Sequence, residues 1–321
     1  RLAGTHREND IVPVDPVEAP LSLSGHIADL RARAANSDDP ADAQLAATLL
    51  ALMAREGIAS AQPHRWLGAG GTPTSAQDYR GQIVLSPSQF ERALACPLRW
   101  FLTTIGADAP SNAAASLGTL VHAVAEEHPH GTPEELTAAL EARIEELGYN
   151  LDTWAGRVAD RHARDIVNNL ASYVVGVPGD VTVEQTVSAE VEGVTIRGRM
   201  DRLEQVDEGV RVTDLKTGKG GYTKASVTEN PQLAAYQMAL LASGEKVAGA
   251  RIALLGGSKP QIFDQPALQG EELERWREWV REVALSARGP YFEARPSAEA
   301  CRYCSFDRLC PARERGRKVV E

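Results

Sequence analysis

Lysine is scarce in this chain: six residues out of 321, against 28 arginines, a bias that points to a GC-rich genome more than to a function. Basic residues are also outnumbered by acidic ones. The net charge of -10 argues against broad attraction to nucleic acid, while local arginine clusters can still make a track. No uninterrupted apolar run approaches the roughly 20 residues of a membrane span, which excludes a membrane helix. The first residues, RLAGTHREND, are charged where a secretory signal would be apolar, so a cytoplasmic protein is expected. The chain opens on Arg1, compatible with a segment of something longer. Internal repeats and low-complexity tracts are lacking, and so is the phosphate-loop pattern G-x-x-x-x-G-K-[ST]. Gly193 to Arg199 has the glycine spacing without the Lys-Ser/Thr pair, so no ATP motor is encoded.

What is present centres on Gly198 to Gly218. Val210, Val212, Asp214 and Lys216 alternate with the period of a strand and share one face. Val194 to Leu203 reads as the preceding strand, and Asp207-Glu208-Gly209 as the turn between them, a hairpin that sets Asp201 beside Asp214. Two carboxylates so placed repel one another unless a divalent cation lies between them. Mg²⁺ or Mn²⁺ suits hard oxygen ligands, and Lys216 is placed to hold or deprotonate an attacking water.

Ahead of that hairpin, Leu21 to Glu56 has helical periodicity, with Leu23, Ile27 and Leu30 on one face and Asp39-Pro40 opening a second helix. The breaker-rich Gly68 to Ser75 reads as a linker, with a domain boundary near Tyr79. This gives a helical unit over 1–79 and a second domain over 80–321. Ser86 to Gln89 is a capping box for a helix carrying Phe90, Leu94, Leu98 and Phe101. Thr132 to Glu135 is another, for a helix ending at Gly148. Helices are also expected over Ser116–Glu127, Trp154–Val175, Pro231–Ala242 and Glu271–Ala287. Strands begin only at Val181, and a last one spans Ala250–Leu255. The result is a mixed α/β core.

Four cysteines are present: Cys96, then Cys301, Cys304 and Cys310 in C-x2-C-x5-C spacing. Three thiols within ten residues suit one ion or cluster with Cys96 as a remote fourth ligand, and the spacing leaves zinc and iron-sulfur open. His122 flanks the apolar stripe Leu117, Val121, Val124 and can complete a metal's coordination. Gln232 and Tyr236, four apart, share a helix face. Glu184 is an additional acid on the first strand, and Lys219, Lys224 and Arg251 are candidates for following a nucleic-acid backbone.

Taken in order, Gly118-Thr119-Leu120-Val121-His122, Gly198-Arg199-Met200-Asp201, Asp214-Leu215-Lys216-Thr217-Gly218 and Gln232-Leu233-Ala234-Ala235-Tyr236 resemble the RecB-like nucleases of the PD-(D/E)XK superfamily, over roughly Ile83 to Pro311. The resemblance implies a restriction-endonuclease-like core, with His122, Asp201 and Asp214 binding the metal. Lys216 would act on the water, and Gln232 and Tyr236 would line the site. It further implies that Cys96, Cys301, Cys304 and Cys310 hold a [4Fe-4S] staple, as in the AddB and AdnAB lineages. The expected activity is a Mg²⁺- or Mn²⁺-dependent deoxyribonuclease, an exonuclease preferring single-stranded DNA. Its expected setting is the bacterial nucleoid, as the C-terminal module of a helicase-nuclease subunit in double-strand break resection, with a helicase domain upstream and a second subunit as partner. The competing readings are a non-catalytic DNA-binding module and a free-standing CRISPR-type exonuclease.

Overall fold

The computed structural model describes residues 22–63, 81–107, 113–177, 179–302, 304–307 and 309–313. The chain divides into two compact units, Arg1–Ser75 and Ala76–Glu321. The expected linker and the boundary near Tyr79 lie outside the described residues.

In the first unit, α1 (Leu23–Asn36) and α2 (Pro40–Arg55) are followed by a 3-10 turn at Ala59–Ala61. Ser22 caps α1, and Asp39 caps α2 ahead of Pro40. Ile27, Leu30, Ala46, Leu50 and Ala61 form the core, and Arg33 pairs with Asp42 across the two helices. Leu23, expected on the same face, is 54% exposed. It is the first residue of α1, and helical side chains tilt toward the N-terminus, which carries this one past the packed stripe.

The second unit begins with β1 (Ile83–Leu85), α3 (Pro87–Ala95), α4 (Pro97–Thr104), α5 (Ala113–Glu127), α6 (Pro133–Arg143) and α7 (Trp154–Val175). Next come β2 (Val181–Val191), β3 (Val194–Val206), β4 (Gly209–Lys216), α8 (Lys224–Thr228) and α9 (Pro231–Ala242). The remaining elements are β5 (Val247–Leu254), β6 (Gln261–Pro266), α10 (Gly270–Ala287) and α11 (Ala298–Arg302). Both expected capping boxes form, at Ser86 with Gln89 and at Thr132 with Glu135. The single helix expected through Phe101 is instead broken at Cys96, which is extended at φ -164 because Pro97 disfavours helical backbone in the residue before it.

Six strands form a mixed sheet in the order β1-β3-β4-β5-β6, with β2 antiparallel along the other edge of β3. Two of them were not expected. β1 has three residues, too few to show a period, and β6 is a mostly exposed edge strand ending in Pro266, where a missing N–H costs no ladder bond. Along β4 and β5 the faces alternate. Val212, Ala250 and Ile252 pack with Phe90, Leu233 and Trp276 of α3, α9 and α10. Leu215 and Ala253 pack with Val121, Leu140 and Leu170 of α5, α6 and α7. The architecture is thus an α/β sheet flanked by helices, consistent with a restriction-endonuclease-like core.

Candidate active site

The site is built on an interruption in β3. One edge of this strand is covered by β2 from Val194 to Glu204. The other edge pairs with β1 only through Ile196, and with β4 only from Arg202 onward. Residues 197–201 therefore face a notch between two diverging neighbours, where backbone groups need other partners. The Tyr236 hydroxyl donates to the Arg199 carbonyl at 2.8 Å, and Asp201 Oδ2 accepts the Leu215 N–H at 2.7 Å. Side-chain alternation also slips here. Met200 and Leu203 join one core, whereas Glu204 meets Tyr173 of α7, in the helix layer that packs on the other face. On β2, between Val183 opposite Arg202 and Gln185 opposite Met200, Glu184 holds a left-handed φ of +52. That conformation costs a non-glycine residue about 1–2 kcal/mol, and such strain is concentrated at functional positions.

Around the notch the expected residues converge. His122 Nδ1 lies 3.2 Å from Asp201 Oδ1, and Lys216 Nζ 2.8 Å from Asp214 Oδ2. Gln232 bridges the second pair: its Nε2 donates to Asp214 Oδ1 at 2.7 Å, and its Oε1 accepts from Lys216 at 3.1 Å. Asn230 caps α9 and starts the helix turn that aims Gln232 and Tyr236 together. Two glycines permit the close approach. A Cβ on Gly198 would stand 2.6 Å from Pro87 Cδ and 3.1 Å from Tyr236 Cε1. One on Gly118 would be 3.3 Å from Thr217 Oγ1, so α5 can reach the end of β4 and carry His122 to Asp201.

Electrostatically the site has a surplus of acid. Burial raises the Asp214 carboxyl above its ordinary range, Lys216 pulls it back, and Asp201 pushes it up again. Burial likewise raises Glu184, against an ion pair with Arg199. For His122, burial lowers the pKa, but the hydrogen bond and charge of Asp201, with Asp214 and Glu184 behind them, outweigh it and the net shift is upward. Burial also acts to lower Lys216, and the Asp214 charge overcomes it, so the ammonium is held protonated. As arranged, Lys216 is a fixed cation, not a base awaiting a proton.

One atom each from His122, Glu184 and Asp201 lies within 4.8 Å of the others, the geometry of a cation site with nitrogen and hard oxygen donors. Glu184, a minor candidate in the sequence, thus stands with His122 and Asp201, while both oxygens of Asp214 are engaged by Lys216 and Gln232. Three converging carboxylates, partly offset by Lys216 and the Arg199 guanidinium, fit a divalent ion. Sequence reasoning missed Tyr222, a half-buried phenol whose pKa is raised by burial, lowered by Lys216 and raised by Asp214. An aromatic in a Gly-Gly-Tyr loop straight after the Asp214-x-Lys216 strand was the signal available.

The family description of the PD-(D/E)XK nuclease superfamily matches residues 84–311. The chain belongs to that superfamily. Asp214-Leu215-Lys216 fits the D/E-x-K spelling in the superfamily's name, and Met200 precedes Asp201 where that name has proline. Among solved structures the chain is similar to SSO0001, at 13% identity and TM-score 0.37, covering 84% of this chain and 97% of that one. It is also similar to a protein from Eubacterium rectale provisionally described as an exonuclease, at 15% identity and TM-score 0.43, covering 73% and 94%. No match is found among curated protein sequences.

The remaining candidates lie elsewhere. All four cysteines are free and partly buried. Among the described residues no three thiols lie within 4.8 Å of one another. The segment leading to Cys301 does return to the Cys96 helix break: Leu98 N donates to Glu293 O at 3.0 Å, and Arg99 to Ala300 O at 3.0 Å. Lys219 and Lys224 are exposed. Arg251 is not available to a backbone track as expected from sequence, because it is bound to Asp264 at 2.6 Å beside Tyr173. No described helix is long and apolar enough to cross a membrane.

Proposed function

We propose that this chain is a Mg²⁺- or Mn²⁺-dependent deoxyribonuclease. The observation that carries the reading is the convergence of His122, Glu184, Asp201 and Asp214 with a single ammonium, Lys216, in the β3 notch. A divalent ion held by these groups would supply Lewis acidity and a water nucleophile of lowered pKa. The chain's own residues do the rest. Lys216, kept charged by Asp214, faces the negative charge that develops on the phosphoryl oxygens. Gln232 fixes Lys216 and Asp214 relative to one another, and Tyr236 braces the strand that carries Asp201. In a Mg²⁺ assay on single-stranded and blunt duplex DNA, Asp214→Ala is expected to abolish cleavage without unfolding the chain, with single strands the better substrate for the wild type. Cleavage unchanged in that variant sinks the assignment.

The proposed setting is a helicase-nuclease subunit acting in end resection, in which the α1–α2 unit is the tail of an upstream motor and a second subunit completes the complex. Cys96, Cys301, Cys304 and Cys310 are proposed to hold a [4Fe-4S] cluster. Its support is the docking of residues 293–300 against the α3–α4 break, which brings the cysteine-bearing segment back to Cys96. Anaerobically purified protein should be brown and contain iron; a colourless preparation with stoichiometric zinc rules the cluster out.

A further inference from the structure

Ser88, Arg92 and Ala95 recur along one face of α3, and Arg99 of α4 joins them in lining one cleft. Ser297 and Ala300 lie across from these residues at a cleft of about 380 Å³, and among the described residues Glu91 is the acid that lines it. Ser297 also lines a second hollow of about 440 Å³, with Cys301, Arg302 and Arg313 and, among the described residues, no acid. Among the described lining residues, four arginines against one glutamate reverse the sign of a chain of net charge -10. Elsewhere on the surface Arg143, Arg164, Arg275 and Arg281 pair with acids. Among the described residues none pairs with Arg92 or Arg313.

This basic groove begins where the notch ends. Pro87, one residue before Ser88, is the atom neighbour that a Cβ on Gly198 would strike. Glu91 accepts from Asn230, the cap of the helix bearing Gln232, at 3.4 Å. Tyr222, half-buried in the loop after β4, packs against the core that Phe90 of α3 and Leu233 of α9 share.

We propose that the arginine-lined groove between α3–α4 and residues 296–302 holds the sugar-phosphate backbone of the nucleic-acid strand being cut, outside the reacting phosphate. Arg92 and Arg313, without carboxylate partners among the described residues, are suited to phosphate oxygens, and Tyr222 offers a ring for a base. The proposal rests on the nuclease reading for the notch, yet its test does not. Binding of a labelled single-stranded oligodeoxythymidylate is measured by fluorescence anisotropy in EDTA, where nothing is cleaved. Arg92→Glu and Arg313→Glu should each weaken binding about tenfold at low salt, and each lost phosphate contact should flatten the salt dependence by about 0.7 in log–log slope. Arg92→Lys, which keeps the charge, should stay within a few-fold of wild type. Unchanged affinity and slope in the double Arg92→Glu, Arg313→Glu variant overturns the proposal. So does equal weakening by Arg92→Lys and Arg92→Glu, which would mark a packing role. So too does loss of poly-glutamate binding with oligonucleotide binding intact, which would assign the groove to an acidic protein segment. Failure of metal-dependent cleavage with groove binding intact would count against the notch alone.

Discussion

Asp201 and Arg202 are consecutive on β3, yet their side chains enter different surroundings, and the two have opposite electrical character. Around Asp201 stand Glu184, Asp214 and a histidine, with Lys216 committed to Asp214. Arg202 is fully buried with Glu204, whose carboxylate accepts from Arg211 at 3.0 Å and from the Tyr173 hydroxyl at 2.5 Å. Thr213 completes that group, and Arg202 reaches the Pro129 carbonyl at 3.0 Å. The second cluster sets two guanidiniums around one carboxylate, so its acid is fully matched by the protein's own cations. The first holds three carboxylates against Lys216 and the Arg199 guanidinium, one acid more than its fixed cations, a balance that suits a bound cation. Burial alone does not separate a structural charge cluster from a functional one; the balance of partners does.

The sharpest way to break this contrast is to unbalance the closed cluster. Glu204→Ala leaves Arg202 buried without its carboxylate, and losing one partner of a buried ion pair typically costs about 3–5 kcal/mol. Chemical denaturation should show that loss whether or not divalent metal is present. Asp201→Asn should behave in the opposite way. It removes one of three converging acids, and its amide oxygen still accepts the Leu215 N–H, so metal-free stability should hold or rise. The open site then predicts a ligand effect. Mg²⁺ or Mn²⁺ at a hundredfold excess over its dissociation constant adds about 2.7 kcal/mol, a melting shift on the order of 5–10 °C for a domain of this size. Asp201→Asn should abolish most of that shift, and Glu204 variants should keep it. Equal metal shifts in wild type and Asp201→Asn would show that this surplus of acid is not where the ion binds.

How much of this was legible in sequence varies with the range of the interaction. The period of Val210 to Lys216 and the two-residue turn at Asp207-Glu208 are local, and they set Asp201 beside Asp214 before any packing is known. Helix starts are equally local: Asp39, Ser86 and Thr132 all cap where the sequence expects them to. The notch was not legible, because it depends on β1, three residues long, pairing with β3 from more than a hundred positions away. Glu184 was underweighted for a related reason. Its position in the site follows from a left-handed backbone that no residue-type preference announces, since glutamate is a poor occupant of that region. The Arg202 cluster was invisible because its members come from β3, β4 and α7.

The smallest expected effect tests whether the notch is held open by its own side chains. Tyr236 is sequence-distant from Arg199, yet its hydroxyl is the partner of a carbonyl that neither β1 nor β4 reaches. Tyr236→Phe keeps the ring that packs against Gly198 and removes only that hydrogen bond. The loss should be about 1 kcal/mol, seen as a melting decrease of a few degrees. Because burial together with Asp214 and Asp201 pushes the Tyr236 phenol well above its ordinary pKa, it stays a donor through the neutral range and has no proton to give up to catalysis there. Cleavage should therefore fall less than tenfold, with the change following stability. A drop of a hundredfold at unchanged melting temperature would move the phenol from bracing the strand to touching the substrate.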